Sequence, residues 1–187
     1  MRAKIHSWFY MFITFNIVSF PASAAFTVNF NGTLVVTPPE CTVNGGSTTD
    51  VQFGDVHETL INNSSYKRTP IMYALNCTQV YNNALKMTLT WNAITLNGQN
   101  VVRTNRSNLG IAIYQDNTRL NNGTSLNFTY GGSMPALYAV PVKPTGTVLT
   151  DGGEFNGVLT MVVDYRWGNL YEIKSVLKVN FNFRYSD

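Results

Sequence analysis

The chain has 187 residues, of which 44% are hydrophobic and only 12% charged, about half the share usual in soluble domains. Its formal net charge of +3 sets 13 Lys and Arg against 10 Asp and Glu, and losing Arg2 and Lys4 with the leader described next would leave 11 against 10, a net of +1. A balance this close to neutral excludes the basic footprint of a nucleic-acid binder, and no later segment approaches the 18 apolar residues needed to insert in a membrane.

Residues 1–24 have the layout of a secretory signal peptide. Arg2 and Lys4 form the positive end, an apolar stretch follows over 8–20, and Pro21-Ala22-Ser23-Ala24 offers the small-x-small cleavage site. Cleavage after Ala24 leaves 163 residues, enough for one exported domain with an adequate core.

Immediately behind that site, Phe26, Val28, Phe30, Leu34 and Val36 alternate with polar residues, and Gly32 takes one of the apolar turns. A period of two over eleven residues predicts a strand with one buried face. Its place at the start of the exported chain leaves two readings. It is the first strand of its own sandwich, or it is offered to the sheet edge of another molecule.

Cys41 and Cys77 are the only cysteines. An even count in an exported chain predicts one disulfide, and closing this loop is worth roughly 3–4 kcal/mol by the chain-entropy argument.

Short alternating runs follow at 51–56, 71–77, 85–91, 109–114, 137–142 and 155–165. The run 85–91 places Leu85, Met87, Leu89 and Trp91 inward, and 109–114 reads as a strand buried on both faces. Pro141 should break 137–142 into an edge or a bulge. Turn signals separate the runs at Asn44-Gly45-Gly46, Asn97-Gly98, Asn121-Asn122-Gly123, Gly131-Gly132 and Asp151-Gly152-Gly153. Short strands at this spacing, without helical periodicity, internal repeat or linker, predict a single all-β sandwich domain.

The residues hold little chemistry. Beyond the leader His57 is the only histidine, so neither a Ser-His-Asp relay nor a metal site is expected. Asp50, Asp55, His57 and Glu58 lie along the alternation of Val51, Phe53 and Val56, which reads as a solvent-facing strand edge. No phosphate-binding loop and no cofactor motif is present, and the reading is of a non-enzyme. A carbohydrate-binding module is the competing class, with Tyr66, Tyr73, Tyr81, Trp91, Tyr114, Tyr130 and Tyr138 as candidate platforms. Most rings of this kind in a β-sandwich are core or cross-strand partners.

Four motifs fall in a fixed order: Phe30-x-Gly32-x-Leu34; Pro38-Pro39-Glu40-Cys41; Leu109-Gly110-Ile111-Ala112-Ile113-Tyr114; and Gly153-x-Phe155-x-Gly157-x-Leu159-x-Met161-x-Val163-x-Tyr165. Over residues 24–166 the chain resembles a fimbrial (pilus) subunit of the chaperone–usher class, nearer the minor or adaptor subunits than the shaft pilin. That resemblance implies an immunoglobulin-like sandwich lacking its last strand, with a groove completed by donor-strand complementation. The implied groove strand carries Phe155, Leu159, Met161, Val163 and Tyr165. The implied donor carries Phe26, Val28, Phe30, Gly32, Leu34 and Val36, with Gly32 where the groove is shallow. Residues 25–37 then form the N-terminal extension and 38–166 the pilin domain. The implied partners are a periplasmic chaperone, an outer-membrane usher and other subunits, and the implied location is a fimbria on the cell surface. Tip adhesins of the class resemble a lectin domain placed before a pilin domain, for which 163 residues leave no room.

The tail, 167–187, departs from the family pattern, in which the chain ends near the residue matching Tyr165. Leu177, Val179, Phe181, Phe183 and Tyr185 alternate with polar residues. A strand returning after 155–165 would lie antiparallel to it, in the position of the missing one. The tail is a self-complementing strand, or it is a fused tag or read-through segment.

Overall fold

A computed structural model describes residues 27–33, 35 and 39–166, and the backbone of one further strand, Ser175–Phe181. The signal-peptide expectation for residues 1–24 lies outside the described residues, as do Phe26, Leu34, Val36, Phe183 and Tyr185. The chain divides into two units, Met1–Leu34 and Val35–Asp187, a boundary within the expected 25–37 extension.

The described residues of the second unit form β1 (Glu40–Val43), β2 (Thr69–Ile71), β3 (Leu75–Thr78), β4 (Ala84–Trp91), β5 (Ala93–Leu96), β6 (Gln99–Arg103), β7 (Gly110–Gln115), β8 (Thr118–Arg119), β9 (Ser125–Thr129), β10 (Leu137–Val142), β11 (Gly157–Tyr165) and β12 (Ser175–Phe181), with short 3-10 turns at Asn44–Gly46 and Glu58–Leu60. One sheet runs β2-β10-β7-β6-β5 with β8 on β7; a second runs β12-β11-β4-β9; β1 and β3 form a separate pair. Every pairing is antiparallel. The protein is all-β.

Pleating explains the core. Leu85, Met87 and Leu89 of β4 and Leu159, Met161 and Val163 of β11 are each 0% exposed. Register sets Leu159 opposite Trp91, Met161 opposite Leu89 and Val163 opposite Met87, so two adjacent strands present one continuous apolar surface. Against it lie Ile111 and Ile113 of β7, Val102 of β6, and Leu137 and Ala139 of β10, in one cluster with Phe53 and Phe155. The alternate residues of the first sheet build a second cluster from Leu96, Val101, Ala112, Val140 and Val142. This is why 109–114 is apolar at consecutive positions.

The Asn97-Gly98 signal is the β5–β6 hairpin turn. Both residues have positive φ, 51° and 74°, which a two-residue turn of the primed type requires.

Three expectations need correction. Residues 51–56 form no strand: Val51 and Phe53 are buried while Gly54 turns the backbone to φ 59°. Alternation there reports burial without a ladder, and it is no solvent-facing strand edge. The run 71–77 is split between β2 and β3, because Ala74 leaves the line to bond Asn44, its N–H to Oδ1 at 2.7 Å and its carbonyl to N–H at 2.8 Å. Pro141 does not break its run, although the edge expected there is present on one side. β10 passes through it, paired with Ile111 on one side, while β2 on the other side reaches only Ala139. The missing N–H is tolerated where the sheet has a local edge.

Candidate functional site

The candidate site is the edge of the second sheet. β11 is paired along one side with β4, from Leu159↔Trp91 to Tyr165↔Leu85. Of the residues expected to line a groove, Leu159, Met161 and Val163 lie in this strand at 0% exposure and Tyr165 is also buried. Phe155 is buried just before the strand, stacked on Phe53 with ring centroids 6.0 Å apart. The strand starts at Gly157 because Asn156 is tied sideways to Asn105, its N–H to Oδ1 at 2.9 Å and its carbonyl from N–H at 3.2 Å. Gly157 is close-packed: a Cβ there would lie 3.1 Å from Val102 Cγ1 and 3.2 Å from the Arg103 carbonyl.

Tyr165 fixes the other end of β11. Its hydroxyl accepts from Tyr81 N–H at 3.0 Å and donates to the Gln79 carbonyl at 3.4 Å. The next residue, Arg166, keeps the direction, with its N–H on the Ala84 carbonyl at 2.9 Å and its guanidinium on the Phe128 carbonyl at 3.1 Å.

The second side of β11 is paired with β12, from Val163↔Ser175 through Leu159↔Val179 to Gly157↔Phe181. Leu177, Val179 and Phe181 thus stand in register with Met161, Leu159 and Gly157, residues of the buried face. β12 also runs beside β1 with no ladder between them.

β1 is stapled to β3. Cys41 and Cys77 are directly opposed and disulfide-bonded, with Cα atoms 4.0 Å apart. The Tyr130 hydroxyl grips the same point, accepting from Cys77 N–H at 2.9 Å and donating to its carbonyl at 3.3 Å.

In the first unit, residues 27–33 have no regular secondary structure and are exposed. Val28 is 55% and Phe30 92% exposed, and a Cβ on Gly32 would meet nothing within 4 Å.

The aromatic rings weighed as carbohydrate platforms are mostly engaged. Tyr114 and Tyr138 face each other across β7 and β10, with the Arg68 guanidinium 5.1 and 4.3 Å from their centroids. Tyr73 donates to the Pro135 carbonyl at 2.6 Å, and burial pushes its hydroxyl pKa well above the usual value. The Tyr66 hydroxyl accepts from His57 N–H at 3.0 Å, Trp91 is buried, and Tyr81 is exposed.

Two features carried no sequence signal. Glu58 bonds Lys143 at 2.6 Å across 85 residues, and that hydrogen bond holds the carboxyl below its ordinary pKa. A pocket of about 310 Å³ lies between the 56–61, 106–109 and 149–155 segments. Its rim charges serve the loops around it: Arg106 Nε donates to the Glu154 carbonyl at 2.8 Å and Asp151 accepts from Ser107 N–H at 2.8 Å. Among the described residues no group of three or more His, Cys, Asp or Glu is placed to hold a metal.

A sequence model of the fimbrial protein family matches residues 28–166. The chain belongs to this family. It is 40% identical over 139 residues to an uncharacterized fimbrial-like protein, YfcR, of Escherichia coli strain K12, covering 71% of this chain and 77% of that one. It is 26% identical over 166 residues to the fimbrial adapter PapF of Escherichia coli, covering 83% of this chain and 96% of that one. Its fold is similar to that of a chain in a chaperone–usher pilus structure concerned with rod uncoiling, at a TM-score of 0.51 and 18% identity, covering 77% of this chain and 97% of that one. The protein is a fimbrial structural subunit, of a family exported through the periplasm and assembled into surface fimbriae. Membership in a structural-protein family points away from catalysis. The family match stops at Arg166, so β12 lies beyond it.

Proposed function

We propose that this chain is a minor or adaptor-type subunit that joins its neighbour by strand donation. The observation that carries the reading is the exposed alternation at the start of the exported chain, with Phe30 92% and Val28 55% exposed. Large apolar side chains held in water at period two are a strand in want of a sheet edge. Burying Val28 and Phe30 in a neighbour's groove is worth up to about 1.5–3 kcal/mol each before ordering costs. The acceptor is the gap between the neighbour's counterparts of β1 and β11. A periplasmic chaperone and an outer-membrane usher act before that step, and cleavage after Ala24 releases the donor segment. No catalytic role, cofactor or glycan is needed.

Gly32 provides the test. It has free space here, so Gly32→Leu should leave the subunit folded. In a shallow groove the added side chain cannot be housed, and incorporation into fibres should fall at least tenfold by quantitative immunoblot of sheared fimbriae. Normal incorporation of Gly32→Leu would sink the donor reading.

A further inference from the structure

We infer that this subunit closes its own acceptor edge with residues 175–181, and is therefore a one-sided building block that donates a strand and accepts none. The inference rests on the strand-donation reading above for its donor half only. Its acceptor half rests on backbone register. β12 pairs with β11 over seven residues, Ser175–Phe181 against Gly157–Val163, and it occupies the space between β11 and β1. A donated strand would need that same space and the same row of β11 backbone groups, because a strand edge hydrogen-bonds to one partner.

The connection favours the internal strand. The paired ends Val163 and Ser175 are joined by a short stretch of chain, and a short tether gives an effective concentration of about millimolar. Against a free donor of equal affinity at about 1 µM, the tethered strand holds the edge by about a thousandfold. Exchange then requires a donor about a thousandfold better, or removal of the tether. In a fibre growing by strand donation such a subunit sits at an end, its exposed N-terminal segment inserted in a neighbour and its own edge shut.

The test uses residues 25–187 with a protease site inserted within 167–174, read by hydrogen–deuterium exchange and by binding of a fluorescent peptide of residues 25–37. In the uncut protein, amides of 175–181 should exchange at least about a hundredfold more slowly than in an unstructured chain, unchanged by about 1 µM peptide. After cutting and dilution, 175–187 should dissociate and the peptide should bind in its place, restoring protection to 157–163. Fast exchange at 175–181 in the uncut protein overturns the inference, since the edge is then open. Displacement of the uncut tail by the peptide overturns it too, because the subunit would then be an acceptor. Peptide failing to enter the cut, tail-free protein also overturns it, since the tail would be covering no acceptor site. The exchange measurement needs no donor, so it stands or falls separately from the Gly32→Leu result.

Discussion

Gly110 opens β7 inside the Leu109-Gly110-Ile111 motif, and Gly110→Ala probes why a glycine stands there. Its φ is not in the left-handed region, so backbone freedom is not the reason. Space is the reason. An added Cβ would fall closer to Val101 Cγ2 than real Cβ atoms come, and 3.2 Å from both Leu96 Cδ1 and the Val102 carbonyl. Val101 is 0% exposed and Leu96 5%, and the hairpin that carries them is held by four residue pairs from Ala93↔Val102 to Leu96↔Gln99. They cannot swing into solvent. Forcing one extra carbon into such a core costs about 1–3 kcal/mol. Losing the glycine's unfolded-state entropy returns about 0.4–1 kcal/mol, so a net destabilisation centred on about 1.3 kcal/mol is expected, the difference of the two mid-range values.

Val101→Ala tests the collision directly, because it removes the methyl that collides. Alone it opens a small cavity and destabilises; combined with Gly110→Ala, each change relieves the other. The double variant should be at least about 1 kcal/mol more stable than the sum of the singles requires. Urea unfolding by fluorescence, with m held constant, gives all four values. A Gly110→Ala effect within 0.5 kcal/mol of zero, or strict additivity in the cycle, would refute the packing explanation.

Two further predictions follow from the staple and the ion pair. Cys77→Ala should destabilise the protein by about 2–5 kcal/mol, lowering its denaturation midpoint and periplasmic yield, and thiol titration of the unreduced wild type should find no free cysteine. Glu58 has its folded pKa depressed by the Lys143 hydrogen bond. Its contribution is therefore present above the ordinary carboxylate pKa and lost as pH falls through the folded value. The gap in urea midpoint between wild type and Glu58→Gln should be open at pH 7 and close on acidification, whereas a gap independent of pH would contradict the assignment.

The strands that could be read from the sequence are those whose polarity pattern and burial coincide. Residues 85–91 and 157–165 alternate because one face of each is core, and period two carries that signal. The cysteine pairing follows from an even count in an exported chain. What escaped the reading depends on partners distant in sequence. Val51 and Phe53 are buried without a ladder, and their alternation cannot say whether a neighbouring strand exists. The departure at Ala74 is set by Asn44, thirty residues away. The Glu58–Lys143 pair and the Arg68 stack on Tyr114 and Tyr138 likewise join separate segments, and no local pattern announces them. The donor and tail segments illustrate the same limit: both alternate cleanly, yet period two is identical whichever sheet receives the strand.

The choice of receiving sheet follows from the energetics of an edge. Natural edge strands are guarded by charge, proline, bulges or brevity. β11 has nine residues, more than any other described strand, and from Gly157 to Val163 it carries neither charge nor proline. Val158, on its outer face, is already 47% exposed. A strand of that length and composition, left with one side unpaired, is a template for aggregation. Some strand must cover it at every stage between synthesis and assembly. In a chain where only 12% of residues are charged, electrostatic repulsion gives little protection of its own. An edge so unprotected is stable only when occupied, so the identity of its occupant determines what the subunit can join. With β12 paired along β11, that occupant is carried by the subunit itself.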